Sequence, residues 1–462
     1  MTPRFGGLFI GCPVGRDIVP QRGGEFGENI SKAGRRCITF SNYWRSFFLW
    51  LLIRSTIDLA LRYGQLVTDK YTEKLLSNHD WSFPVPIAYG PGRLETLDQQ
   101  ASALALTNPL IVTDKGSAEL PFMQTLQQAL RNAGIGSAVF SEVAPNPKDS
   151  DIALARETYR QGGHDSVIAI GGGSGMDAGK ATALTGNNDC DLWQFDFDRD
   201  APALPAGHVF PKLICIPTTA GTGAETESTA MITHTDRGMK LCVWHPDLKP
   251  SLTLLDPEIT VGLPSSLTAW TGVDAMVHAI EAYCVPDYHP LCDGIALEAL
   301  ELIGRWLSTA VSTPDSMMAR GGMQIGACLA GVSFLKGLGL VHAISHMVGA
   351  EYDTHHGLTN AIVLPAVLRY NAPAIEDKVP AMSRALGLRQ ANFEAFHSAI
   401  CSLLDQLAIP VTLSELGVPP EAAGRLAEKA HQDAAAGTNP READVGAIER
   451  LILEAITLGR CA

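Results

Sequence analysis

Ser166-Val-Ile-Ala-Ile170 runs directly into Gly171-Gly-Gly-Ser-Gly175-Met-Asp177-Ala-Gly-Lys180. The first five residues read as a short buried strand, and the stretch 175–185 reads as a helix. A strand that delivers glycines to a helix start leaves bare N–H groups at the positive end of that helix, where a phosphate fits. Glycines in a tight turn also allow a helix to pack closely on a strand, so the segment alone leaves both readings open. It matches neither common phosphate motif. Met176 stands where the standard dinucleotide fingerprint has glycine, and a Walker A loop needs glycine at Ser174 and Ser or Thr at Ala181.

Outward from this turn the pattern repeats. Short β-type runs at Pro109–Thr113, Leu213–Ile216 and Thr253–Leu255 alternate with helix-like stretches at 120–133, 149–161 and 175–185. Such alternation predicts a parallel sheet with crossover helices. Leu110-Ile-Val-Thr-Asp114 ends in an acid that can accept hydrogen bonds from a ribose 2′-hydroxyl and would repel a 2′-phosphate. A lone Asp at a strand end also serves as an ordinary turn residue. Pro217-Thr-Thr-Ala-Gly-Thr-Gly-Ala-Glu225 follows another β-run and offers hydroxyls and open backbone, either to a cofactor cleft or to itself.

After Pro264 long helical patterns take over, at 271–284, 295–311, 323–329 and 341–349. The reading divides the chain into an extension of unassigned role at 1–80, an α/β dinucleotide-binding domain at 81–262 and a helical metal-binding domain at 263–462. Asp274 and His278 fall four apart on one helix face, and His342 and His346 repeat the spacing, followed by His355-His356-Gly357. One such histidine alone is usually a satisfied core residue. Five of them near an aspartate point to a metal. Imidazoles with a carboxylate suit Fe(II) or Zn(II) better than Mg(II) or Ca(II), and leave positions open for catalysis.

Composition sets the outer limits. Of 462 residues, 46% are hydrophobic and 18% charged, which excludes a disordered, collagenous or coiled-coil chain. A net charge of −14 with no basic patch argues against nucleic acid as a partner. Residues 1–80 differ, with 11 Lys/Arg against 7 Asp/Glu and an aromatic stretch, Tyr43 to Trp50. They lack a compact apolar segment behind a basic start, so a secretory signal fits poorly. Ten cysteines without a C-x-x-C suggest a reducing, cytoplasmic setting. No run approaches the ~18 apolar residues of a membrane span.

Four segments, Gly171–Lys180, Pro217–Gly223, Thr271-Gly-Val-Asp-Ala-Met-Val-His-Ala-Ile-Glu281 and Gly339–Gly349, together resemble the iron-containing (group III) alcohol dehydrogenases. The likeness runs from about Phe83 through Gly437-Thr-Asn-Pro-Arg441 toward the C-terminus. It implies a dinucleotide-binding α/β domain and a helical domain enclosing a cleft, an architecture shared with dehydroquinate synthase. By position it implies Asp274, His278, His342 and His356 as metal ligands, with His346 as a proton-relay residue. His355 takes the place of the usual proline. On the cofactor side the matching positions are Asp114, Asn146, Gly172, Gly173, Ser174, Asp177, Thr218, Thr219, Thr222 and Lys240, the last near the nicotinamide ribose. The implied cofactors are NAD(H) and Fe(2+), with Zn(2+) as the other candidate, and the implied assembly is a homo-oligomer, a dimer. Gly175 in place of proline, Thr226-Glu227 in place of Val-Thr or Val-Ser, and Lys336 in place of asparagine depart from the family pattern.

The expected reaction is hydride transfer between NAD(H) and a small primary alcohol or aldehyde, with the metal favouring loss of the hydroxyl proton. Alternatives are a polyol enzyme resembling glycerol dehydrogenase, a lyase resembling dehydroquinate synthase, and a noncatalytic metal- and nucleotide-binding protein. The lyase would need several basic groups for its substrate. Lys336, six residues before His342, either points into the pocket toward an anionic substrate tail or is a solvated surface lysine.

Overall fold

The computed structural model describes residues 85–461. The extension 1–80, with its aromatic stretch, lies outside the described residues. The first part runs β1 (Ile87–Tyr89), α1 (Leu97–Ala103), β2 (Pro109–Val112), α2 (Pro121–Asn132), β3 (Ala138–Phe140), α3 (Asp149–Gln161), β4 (Ser166–Gly171), α4 (Gly173–Gly186) and β5 (Lys212–Pro217). It continues through β6 (Thr229–His234), β7 (Met239–Trp244) and β8 (Leu252–Leu255). Six strands form one parallel sheet in the order β1-β8-β5-β4-β2-β3. Ile168 on central β4 lies in register with Ile111 and Ile214. Every residue of β2 and β4 is buried, as helices on both faces of a parallel sheet require. Two apolar clusters fill the two faces.

The strands and helices anticipated around the glycine turn are all present, with ends shifted by one or two residues. The β6–β7 hairpin was not anticipated. Its antiparallel register sets Thr233 opposite Lys240, and Gly238 at φ +57° closes the turn in a conformation that favours glycine. Buried Ala230 and Ile232 alternate with half-buried Thr229 and Met231, the period of two expected of a hairpin lying over a core. The hairpin walls the site.

The second part is helical: α5 (Ser265–Cys284), α6 (Pro290–Ser312), α7 (Met317–Ser333), α8 (Leu340–Tyr352), α9 (His356–Ile375), α10 (Val379–Ala385), α11 (Phe393–Gln406), α12 (Ala423–Ala430) and α13 (Val445–Thr457). Helices α5 and α8 are buried nearly all round, which explains why they carry so few charges. One apolar cluster runs through the bundle. Among the described residues no single helix is long and apolar enough to cross a membrane.

Two glycines let the sheet and the bundle touch. Gly223, at φ +63° in the loop after β5, faces Gly331 of α7 so closely that a Cβ there would lie 2.4 Å from the Gly331 Cα. That contact seats the hydroxyl-rich loop on the bundle and brings the strand ends toward α5 and α8.

Candidate active site

Helix α5 presents Asp274 and His278, α8 presents His342, and α9 begins at His356. One donor atom from each of these four lies within 4.8 Å of the others. Gly357 makes the approach of α9 possible, because a Cβ there would stand 2.5 Å from the Trp270 carbonyl and 3.0 Å from the Asp274 Cβ.

The groups behind these four orient them. Nδ1 of His342 lies 2.6 Å from Glu281 Oε2, so the ring donates there and Nε2 keeps its lone pair. Glu281 also accepts from the backbone N–H groups of Gly339 and Val341 at 3.0 and 2.8 Å. A carboxylate is thus placed at the positive start of α8, where it is favoured. Asn439, from the Gly-Thr-Asn-Pro-Arg segment, accepts from Leu340 N at 3.2 Å and completes the cap. Nδ1 of His356 meets Ser345 Oγ at 3.0 Å. The Asn360 amide nitrogen donates to Asp274 Oδ1 at 2.7 Å and approaches Nε2 of His342 and of His356 at 3.2 and 3.1 Å. The lone pairs therefore converge on one place.

The electrostatics suit a cation there. Burial pushes His278 down to about 4 and holds His356 well below the usual imidazole range, the latter with help from Lys240. Both rings are neutral at neutral pH and free to bind a metal. The buried Nδ1 of His278 has no hydrogen-bond partner among the described residues. Three imidazole nitrogens and a carboxylate oxygen converging, with the buried Nδ1 of His278 unpartnered, fit a divalent transition metal.

His346 stands next to this group, its ring stacked on His356 with centroids 5.4 Å apart. Its Nδ1 donates to Asp433 Oδ2 at 2.8 Å, which leaves Nε2 to exchange protons. His355 is the N-cap of α9 and packs on Trp270, separate from the four.

A cavity of about 700 Å³ joins this cluster to the glycine turn. Asn146, Gly172, Gly173, Ser174, Asp177, Thr219, Thr222 and Lys240 line it together with the four candidate ligands and His346. Both readings of the glycines hold at different positions. Gly172 caps α4 and faces the cavity, whereas a Cβ on Gly179 would meet the Ala169 Cβ at 2.4 Å, so that glycine serves helix–strand packing. Two sequence-derived positions, Asp114 and Thr218, stand outside this lining. Asp114 accepts from Ser117 N and Oγ at 2.9 and 2.7 Å and packs against Gly171, and Thr218 donates its N–H to the Gly171 carbonyl. Asn146 donates to Asp353 Oδ1 at 2.7 Å, tying the loop after β3 to the end of α8.

Lys336 borders the cavity but does not offer its charge to it. It lies in the turn between α7 and α8, but its ammonium is buried and paired with Asp293 of α6 at 2.5 Å. The charge is already compensated inside the protein.

Sequence models of the two halves of one family match this chain: iron-containing alcohol dehydrogenase over residues 84–257, and the C-terminal region of the Fe-containing alcohol dehydrogenase family over 268–456. The chain belongs to the iron-containing alcohol dehydrogenase family. A 1,3-propanediol dehydrogenase of Klebsiella pneumoniae is 33% identical over 383 residues, covering 80% of this chain and 98% of the relative. The crystal structure of a 1,3-propanediol oxidoreductase superposes with a TM-score of 0.78 at 32% identity, over 82% of this chain and 100% of the other. A sulfoacetaldehyde reductase from Bifidobacterium kashiwanohense, solved with NAD+, gives a TM-score of 0.72 at 26% identity over 83% of this chain and 100% of the other. This member of the family is thus an NAD-dependent, iron-type oxidoreductase acting on small alcohols or aldehydes.

Glu281, Ser345, Asn360 and Asp433 complete the site and carried no role in the sequence reading. Glu281 was legible, since it sits three residues after His278 on the same helix. Asp433 was not, because nothing local links a loop residue to His346 across 87 positions.

Proposed function

We propose that this chain interconverts small neutral primary alcohols and aldehydes with NAD(H), using one divalent metal held by Asp274, His278, His342 and His356. The observation that carries this reading is the convergence of four donor atoms within 4.8 Å at one end of a cavity whose other end is the glycine turn. When bound, such a metal stabilises negative charge on an alcohol or carbonyl oxygen. Glu281 and Ser345 hold the His342 and His356 rings so that Nε2 of each faces the metal position. His346 Nε2 exchanges a proton with the substrate oxygen, and Asp433 keeps that ring in the required tautomer. Gly172, Gly173 and Ser174 take the pyrophosphate at the start of α4. Asn146, Asp177, Thr218, Thr219, Thr222 and Lys240 complete the dinucleotide site. The cavity holds cofactor and substrate at reacting distance and limits water.

The division at about residue 262 belongs to this reading, with the sheet holding the nucleotide and the helices the metal. So do a cytoplasmic setting, a homodimeric assembly, and iron as the metal where zinc would accept the same donors. Asp114 selects NAD over NADP through its negative charge near the ribose. Two measurements on one preparation test the whole: metal content by elemental analysis, and NADH turnover across a panel of aldehydes. His278→Ala and His356→Ala are expected to lose the metal and at least a hundredfold in turnover. Full metal content and activity in either variant would refute the ligand assignment. Equal kcat/KM for NADPH and NADH would remove Asp114 from its role.

A further inference from the structure

Glu227 stands at the position where this chain departs from the Val-Thr or Val-Ser of its family. It lies after the loop that follows β5, lines the cavity and is only 7% exposed. Oε2 accepts from Thr229 Oγ1 at 2.6 Å, while the buried Oε1 has no partner among the described residues. Lys180 and Asp177 of α4, Glu225 of the preceding turn and Cys242 of β7 are the titratable groups facing it.

The charges in this pocket do not balance. Lys180 Nζ donates to the Ala224 carbonyl at 2.7 Å and lies 3.7 Å from Asp177 Oδ1. Lys240 interacts with Asp177 and Asp274. Asp177, Glu225 and Glu227 therefore share the Lys180 ammonium, while Lys240 divides between Asp177 and Asp274, and burial pushes both glutamates up to about 7. Glu225 bonds its own backbone and Cys328 and is not part of the cavity wall. An unpaired buried acceptor with surplus negative charge is costly until a cation completes it.

The order of the strands indicates which cation. Adjacent strands β2, β4 and β5 carry in turn Asp114, the glycine turn and the loop leading to Glu227. With the adenosine ribose at Asp114 and the pyrophosphate at the glycine turn, the nicotinamide half continues onto the β5 side. Its ring is cationic in NAD+ and neutral in NADH. We propose that Glu227 is a specificity-determining charge, whose buried carboxylate favours the oxidised nicotinamide ring over the reduced one. This rests on the cofactor placement given above.

By linkage, a group that binds NAD+ better when ionised must lose its proton as NAD+ binds. In the metal-loaded protein, the ratio Kd(NADH)/Kd(NAD+) is expected to rise about tenfold between pH 6 and pH 8, a factor equal to about 1.4 kcal/mol. Glu227→Gln should hold the ratio flat at its low-pH value, whereas Glu225→Gln should keep the rise. In weakly buffered wild type at pH 7, NAD+ but not NADH should release protons to an indicator dye, a measurement that needs no variant. Equal shifts in both dissociation constants, a rise abolished by Glu225→Gln instead, or identical proton release with both nucleotides would overturn the proposal. Failure of either nucleotide to bind would overturn the cofactor placement itself and this inference with it.

Discussion

Glu281 shows how one carboxylate can hold a site without touching what the site binds. It takes three hydrogen bonds at 2.6–3.0 Å, two from the first turn of α8 and one from the His342 ring. Glu281→Ala is expected to lower metal affinity by about 10–100-fold, the usual cost of losing the group behind a ligating histidine. Titration with the metal and a competing chelator measures it, and unchanged affinity would show that His342 is oriented by packing alone. Lys336 teaches the opposite lesson about reading single residues. Its sequence context suggested a loop near the pocket, which is correct, but its partner Asp293 is 43 residues away and invisible to local pattern. Lys336→Met should cost about 1–3 kcal/mol of stability by stranding Asp293. Denaturant unfolding reads that loss, and kcat/KM should fall alike for a neutral aldehyde and its ω-carboxylate counterpart. Ligands at fixed helical spacing are legible because the helix itself guarantees their juxtaposition, whereas Asp433, the Lys336 pair and the contacts of Asn360 with Asp274 and His342 depend on tertiary packing.

At the level of elements, the parallel strands were readable because burial on both faces produces unbroken apolar runs. The β6–β7 hairpin was missed because its strands mix Thr, Met, Lys and Trp, a half-buried wall of a cavity rather than a core. The start of α9 is the element on which the site depends most. His356 is its first residue and Gly357 its second, and the glycine lets the helix end press against α5. Gly357→Ala would force a Cβ to within 2.5 Å of the Trp270 carbonyl, where backbone must move. We expect the variant to retain its helix content, lose about 1–3 kcal/mol of stability through this overpacking, and bind metal at least tenfold more weakly, since His356 shifts with the helix. Circular dichroism alongside metal titration separates these effects, and wild-type metal affinity would mean that the helix end accommodates the methyl group without moving His356.

Over the whole described molecule, the candidate metal ligands come from α5, α8 and α9 and none from the sheet. A bound metal therefore ties together three helices of one apolar cluster, whereas the nucleotide would bridge the strand ends and that bundle. Any group that binds only the folded chain adds stability by mass action, about 4 kcal/mol at a thousand times its dissociation constant. Removing the metal by chelation should accordingly lower Tm by several degrees, and metal readdition should restore it. His278→Ala should show little response to either treatment. The loss should also be local. Amide exchange is expected to accelerate along α8 and the first turns of α9, where the ligands sit, while central β4, buried within the sheet, keeps its protection. A chelation effect of equal size in wild type and His278→Ala would place the metal elsewhere in the protein. Faster exchange in β4 and α8 alike would mean instead that sheet and helices open as one cooperative unit, so that the metal supports the whole molecule rather than the bundle.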